Sequence, residues 1–244
     1  TLVKSSAASD VYKRQSVLSS NFKTICTTGN FNNHIGLPLS LFEIRHDTEF
    51  DVIEMGANNF GEIAFLNSLC EPDYGYITNF GKAHLEGFIN IDGVIKAKTE
   101  LYQWIIKNDK TLLINGEDKN QKKFDNHKHI MFGCGENFQF NFREKNNDFV
   151  NVLHDNYLFE TKLYGTYNYS NVCAAIAFGL EFGIDKNQIN QSLKNYQPNN
   201  NRSEIIKIGD KRIVLDAYNA NPSSVEEAIK SVSYTHLTLP TTSP

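Results

Sequence analysis

Apolar residues in this chain fall into short continuous runs separated by segments of helical spacing. Residues 50–56 (FDVIEMG), 74–81 (YGYITNFG) and 111–116 (TLLING) are such runs, each closing on Gly. Runs of this kind suit strands buried on both faces. Between them, residues 61–69 and 93–106 repeat apolar side chains at helical intervals. In the second segment Val94, Ala97, Leu101 and Ile105 share one face. Strands alternating with helices predict an α/β fold with a mostly parallel, doubly wound sheet. From 138 to 164 the pattern changes to polar/apolar alternation broken by Asn-rich turns, which predicts an antiparallel extension. Residues 168–182 then read as a helix with Val172, Ala175, Ile176 and Leu180 inward. A shorter helix over 186–195 precedes the break at Pro198. A strand over 212–216, a loop, and a helix capped near Ser223 or Ser224 close the pattern. No internal repeat is visible.

The two ends differ from this interior. Residues 1–15 and the tail from 232 to 244 are rich in Ser and Thr, with little apolar periodicity, whereas the interior is rich in Asn, Ile, Lys and Phe. Both ends resemble translated sequencing-adapter sequence, so they are expected to be non-native and are set outside the fold reading. The expected organisation is a partial central domain over 16–198 and the start of a further α/β domain over 199–231.

Bulk composition narrows the function classes. With 40% hydrophobic and 21% charged residues the chain has the makeup of a globular protein, not a disordered one. A net charge of −4 gives no reason to expect a nucleic-acid partner. No apolar run approaches the roughly 18 residues a membrane span requires, and no secretory signal is expected. Cys26, Cys70, Cys134 and Cys173 lie far apart in neither a CxxC nor a zinc spacing, so reduced, buried thiols in a cytosolic protein are expected.

Candidate chemistry clusters after the predicted strands. Residues 27–38 (TTGNFNNHIGLP) form an Asn- and Gly-rich loop able either to cradle a polyanion or sugar or to serve as a plain turn. Glu54 lies at the carboxyl end of a predicted strand, where open α/β sheets bind ligands. Its carboxylate can take Mg²⁺ or cap the next helix. Residues 78–88 (TNFGKAHLEGF) follow the second strand in the same way and offer His84 and Glu86 to the same rim, as ligands or as structural residues. Lys98 on the following helix reads as a site residue or a solvated surface lysine. Residues 167–171 (YNYSN) open a helix, and Arg202 and residues 216–222 (DAYNANP) add groups suited to phosphate, ribose and ring contacts. Each of these also has a turn or cap explanation.

Taken in order, TGNFNNHIGLPLSL, EMGANNFGEI, ITNFGKAHLEGF, GVIKAKTELY, YGTYNYSNVCAA and LDAYNANPSS closely resemble the Mur ligase family, in its branch that adds D-alanyl-D-alanine. The resemblance spans nearly all of residues 16–231. It implies a cytoplasmic, monomeric ATP-dependent ligase of peptidoglycan synthesis with ATP and Mg²⁺. In that reaction the carboxylate of UDP-N-acetylmuramoyl-tripeptide is activated as an acyl phosphate and then attacked by the amine of D-alanyl-D-alanine. It implies Glu54 and His84 as magnesium ligands, and Lys98 as a carbamylated lysine holding a second Mg²⁺. Lys98 and His84 become the catalytic candidates. It places Asn168 and Asn171 at the adenine, Arg202, Asp216, Tyr218 and Asn219 around the nucleotide, and Thr28, Asn32 and Asn33 at the UDP-sugar.

The chain departs from the family in one respect that bears on activity. No Gly-x-x-Gly-Lys-Thr phosphate loop occurs anywhere in it, although one is expected before Leu18. The uridine-diphosphate domain is likewise expected upstream, and the third domain is expected to stop after a strand and a helix. The implied activity therefore belongs to the intact protein, and this chain alone is expected to be inactive. Another amide ligase of the same fold, such as the one adding the third stem-peptide residue, a cyanophycin synthetase or a folylpolyglutamate synthetase, remains open. So does a non-catalytic UDP-sugar-binding remnant.

Overall fold

The computed structural model describes residues 2–5, 8–81, 88–133, 137–143, 149–197, 204–209 and 211–215. Its centre is a parallel sheet built from β1 (Leu2–Ser5), β2 (Thr24–Cys26), β3 (Phe50–Met55), β4 (Tyr74–Ile77), β5 (Thr111–Asn115), β6 (His129–Gly133) and β7 (Phe138–Gln139), in the order β2-β3-β1-β4-β5-β6-β7. The chain moves out from β1 to the edge strand β2, returns through β3, then crosses to β4 on the other side of β1. That reversal makes the carboxyl ends of β3 and β4 the rims of a switch-point crevice.

Alternation along each strand divides the core into two layers. Val52, Tyr76, Leu113, Ile130 and Phe132 face one layer, where α1 (Ala8–Leu18), α6 (Tyr169–Glu181) and α7 (Lys186–Asn195) pack. Ile53, Met55, Ile77, Leu112, Ile114 and Met131 face the other, against α3 (Glu62–Cys70) and α4 (Ile91–Lys107). Short helices α2 (Gly36–Leu41) and α5 (Lys119–Lys122) complete the connections. Each fully buried Val, Leu or Ile contributes roughly 1.5–3 kcal/mol, so losing the parity of one strand would forfeit a layer. The doubly wound expectation is met.

Helix α4 shows how local sequence sets these elements. The Asn90 side chain accepts from the Gly93 amide at 2.9 Å, Asp92 sits in the first turn and Lys107 in the last, matching the helix dipole. Val94, Ala97, Leu101, Tyr102 and Ile105 are buried on its inner face. Gly93 has no alternative, because a Cβ there would lie 2.0 Å from the Phe88 carbonyl oxygen.

The remaining strands refine the sequence reading. β8 (Asn141–Arg143), β9 (Phe149–His154) and β10 (Tyr157–Tyr164) form a separate antiparallel sheet, and the β9–β10 turn uses Asp155 and Asn156 at φ 46° and 62°. Residues 138–139, expected in that extension, instead pair in parallel with β6. β11 (Glu204–Ile208) and β12 (Lys211–Leu215) form a hairpin where only the second strand was expected. The helix expected from Ser223 lies outside the described residues, as do residues 216–244.

Residues 2–5 and 8–15, within the stretch set apart on composition, enter the fold here. β3 and β4 do not pair with each other, and β1 occupies the slot between them. In α1 the Lys13 and Arg14 side chains are buried. The Lys13 ammonium donates to Asn168 Oδ1 at 2.6 Å, and the Arg14 guanidinium lies 5.0 Å from the centre of the Tyr76 ring. Cys26, Cys70 and Cys173 are buried free thiols, and Cys134 lies outside the described residues.

Candidate active site

The loop after β2 is fastened to the end of β3. The Thr27 amide donates to the Val52 carbonyl at 3.1 Å, and the Thr27 hydroxyl accepts from the Glu54 amide at 2.8 Å. Further along, the Asn32 carbonyl accepts from the Gly56 amide at 2.8 Å, while Asn32 Nδ2 donates to Glu54 Oε1 at 3.0 Å. The Glu54 carboxylate is almost fully buried, on the strand face shared with Val52. Thr28 is exposed at the start of the loop, and the Tyr12 hydroxyl accepts from the next amide, that of Gly29, at 3.1 Å.

Asn33 has a different neighbourhood from Asn32. Its side-chain oxygen accepts from the amides of Ile35 and Gly36 at 3.0 and 2.9 Å, closing the entry into α2. Gly36 is required at that entry, since a Cβ would stand 2.4 Å from Phe31 Cα. The exposed Thr28, the turn-forming Asn33 and the Glu54-bound Asn32 therefore occupy one loop in distinct roles.

On the neighbouring rim, β4 ends at Ile77 and the chain passes through the buried Thr78 to Asn79. Lys98 of α4 reaches back to this point, and its ammonium donates to the Asn79 carbonyl at 2.7 Å. Burial pushes the Lys98 amine down to about 8. An exposed, solvated lysine is thus not what the fold makes of this residue. His84 and Glu86 fall outside the described residues. Among the described residues no three His, Cys, Asp or Glu side chains gather as a metal-holding group.

The start of α6 carries the two candidate asparagines. Asn168 is buried and internally engaged: its Oδ1 takes the Lys13 ammonium, and its Nδ2 donates to the Tyr164 carbonyl at 2.8 Å. Asn171, one turn on, has a side-chain oxygen that is buried without a hydrogen-bond partner among the described residues. An unsatisfied buried acceptor costs about 1–3 kcal/mol, so it calls for a donor beyond the described residues. Arg202, Asp216, Tyr218 and Asn219 lie outside the described residues.

Two functional positions were missed as site residues in the sequence although they stood in quoted segments. Thr27 looked like part of a generic polar loop, and its hydroxyl proves to anchor the Glu54 backbone. Asn79 contributes its carbonyl to Lys98, a role no side-chain pattern advertises.

The Mur ligase middle domain profile matches residues 6–179. The chain is 33% identical over 220 residues to the UDP-N-acetylmuramoyl-tripeptide--D-alanyl-D-alanine ligase of Bacillus subtilis, covering 88% of this chain and 48% of that protein. The Escherichia coli protein of the same name is 30% identical over 230 residues, covering 88% and 50%. Among solved structures, MurF from Acinetobacter baumannii superposes with a TM-score of 0.86 at 27% identity, covering 96% of this chain and 54% of that one. MurF from Thermotoga maritima gives 0.80 at 23% identity, covering 96% and 57%, a likeness of fold. The chain spans about half the length of the curated relatives it matches. By the reach of that middle-domain match, this chain belongs to the Mur ligase family.

Proposed function

We propose that this chain is the central part of an ATP-dependent ligase that joins D-alanyl-D-alanine to UDP-N-acetylmuramoyl-tripeptide in peptidoglycan synthesis, as a cytoplasmic monomer. One observation carries the reading: a relative named for that reaction matches 88% of this chain at 33% identity. Under it, residues 16–198 are the nucleotide-binding domain, 199–231 open the C-terminal domain, and the stretch 232–244 is foreign to the native protein.

The donor groups suit ATP and Mg²⁺. Mg²⁺ prefers oxygen ligands and keeps several waters, so the buried carboxylate of Glu54, joined by His84 and a carbamylated Lys98, is a sufficient protein share. When bound, Mg²⁺ offsets the repulsion between the phosphoryl group and the substrate carboxylate that attacks it. The Asn171 oxygen is an acceptor in search of a donor, which the exocyclic amine of adenine is. The Thermotoga maritima structure is a complex with ADP. Arg202, Asp216, Tyr218 and Asn219 complete the proposed nucleotide contacts, and Thr28, Asn32 and Asn33 line the proposed UDP-sugar loop.

The chain's own residues then divide the work. Glu54 is held rigid by Thr27 and Asn32, so its charge is fixed before ligands arrive. Lys98 presents an amine that is neutral often enough to take up CO₂ near neutral pH, converting a cation into an anion at the rim. Asn168 braces the start of α6 and so sets where Asn171 points. Without a Gly-x-x-Gly-Lys-Thr segment the β- and γ-phosphates lack their usual cradle, and we expect no turnover from this chain alone.

The test is a chimera in which residues 16–197 replace their counterpart in the Bacillus subtilis ligase, assayed for phosphate release. Release that requires D-alanyl-D-alanine and disappears with Glu54→Gln supports the proposal. A folded chimera that releases phosphate only with a different amine substrate, or not at all, refutes it.

A further inference from the structure

Asn32 stands closer to Glu54 than a residue reserved for gripping a sugar substrate needs to be. Its side-chain amide donates to Glu54 Oε1 at 3.0 Å, and its carbonyl accepts from the Gly56 amide at 2.8 Å, so it holds the strand end on both sides of the carboxylate. The loop itself is turned tightly at this point by the Asn32 amide donating to the Asn30 carbonyl at 2.7 Å. Thr27, at the other end of the loop, accepts the Glu54 amide. Gly56 leaves the room this needs, because a Cβ there would meet Asn32 Cγ and Nδ2 at 3.0 Å and Oδ1 at 3.2 Å.

A carboxylate on a flexible stem has several rotamers, and only some present a lone pair to a given point. A neutral amide that occupies one site of one oxygen selects among them without cancelling the negative charge, which a lysine in its place would do. We infer that Asn32 is a positioning residue for Glu54: it fixes the carboxylate for a divalent cation and ties the loop after β2 to the cation site. This rests on the reading of Glu54 as a metal ligand. A consequence follows from linkage: any ligand that stiffens residues 28–33 tightens the cation, and the cation tightens that ligand by the same factor.

The experiment measures Mn²⁺ binding to the full chain by electron paramagnetic resonance of free and bound ion, for the unaltered protein and for Glu54→Gln, Asn32→Ala and Gly56→Ala, with circular dichroism confirming the fold of each. Asn32→Ala is expected to weaken Mn²⁺ about 10-fold, the usual scale for a residue that orients a metal ligand, and to alter the bound-ion line shape. Gly56→Ala is expected to shift both in the same direction by a smaller factor, and it decides the matter if Asn32→Ala does not fold. Loss of binding with Glu54→Gln alongside unchanged affinity and line shape in the folded Asn32 or Gly56 variant overturns the positioning role alone. An unaltered chain that binds no Mn²⁺, or a Glu54→Gln variant that binds it equally well, overturns the metal-ligand reading on which the inference stands.

Discussion

The half-buried amine of Lys98 makes a quantitative prediction. Burial lowers it to about 8, and it donates to the Asn79 carbonyl, which accepts from the neutral amine and the ammonium alike. At pH 7.4 roughly a fifth of the side chain is then neutral, against about one part in a thousand for an ordinary lysine near 10.4, a gain on the order of 200-fold in reactive amine. The assay pulses the chain with limiting isotopic acetic anhydride from pH 6 to 10 and follows the Lys98 peptide by mass spectrometry, with Lys98→Met as the blank. The measured quantity is the midpoint of the rate against pH, which steric shielding does not move. An inflection near 8 is expected, whereas a model peptide keeps rising past 10. The same displacement has a thermodynamic sign. The unfolded chain holds this proton up to about 10.4 and the folded chain releases it near 8, so folding stability rises with pH across that window. Lys98→Met should flatten that rise. A Lys98 profile still climbing at pH 10 would refute the reasoning, since it would mean that burial does not disfavour the cation.

Other substitutions probe the frame around the site. Asn171→Ala removes a buried acceptor that lacks a partner among the described residues, so thermal stability should stay level or rise while ADP binding, measured by calorimetry, weakens. Gly36→Ala forces a Cβ to 2.4 Å from the Phe31 backbone, and the loss should be roughly 2–4 kcal/mol in denaturant unfolding. Glu100→Ala deprives the start of α3 of the carboxylate that accepts from the Gly61 and Ala64 amides at 2.8 and 3.0 Å, and should cost about 1–2 kcal/mol. Tyr102→Phe strips the buried Leu113 carbonyl and Gln121 Oε1 of a donor, with a loss of about 1–3 kcal/mol read from the urea midpoint.

These predictions share a geometric basis. The site is assembled from the ends of two strands that never touch each other, β3 and β4, with β1 between them. Anything that shifts β1 relative to either neighbour changes how Glu54 and the Asn79 carbonyl are placed relative to each other. The same dependence explains why the loop after β2 matters: Thr27 and Asn32 set Glu54 from outside the strand, whatever the register of β1.

The sequence by itself determined the elements whose signal is local. β3, β4 and β5 were legible because a strand buried on both faces must be apolar throughout, and α4 because Val94, Ala97, Leu101 and Ile105 repeat at the helical period. Glu54 and the asparagine loop were visible as polar residues against an apolar background. Only the tertiary structure decided how such groups engage. It gave Asn32 to Glu54, Asn33 to the α2 entry and Asn168 to Lys13, three asparagines that look alike in sequence and differ only in what lies across from them. β2 escaped notice because a strand of three residues has no period to read, β7 was read into the antiparallel extension because two residues cannot show which partner they pair with, and most of α1 was set aside with residues 1–15. A periodic pattern records which face of an element avoids water, whereas a hydrogen bond records which two distant atoms the fold has brought within 3 Å.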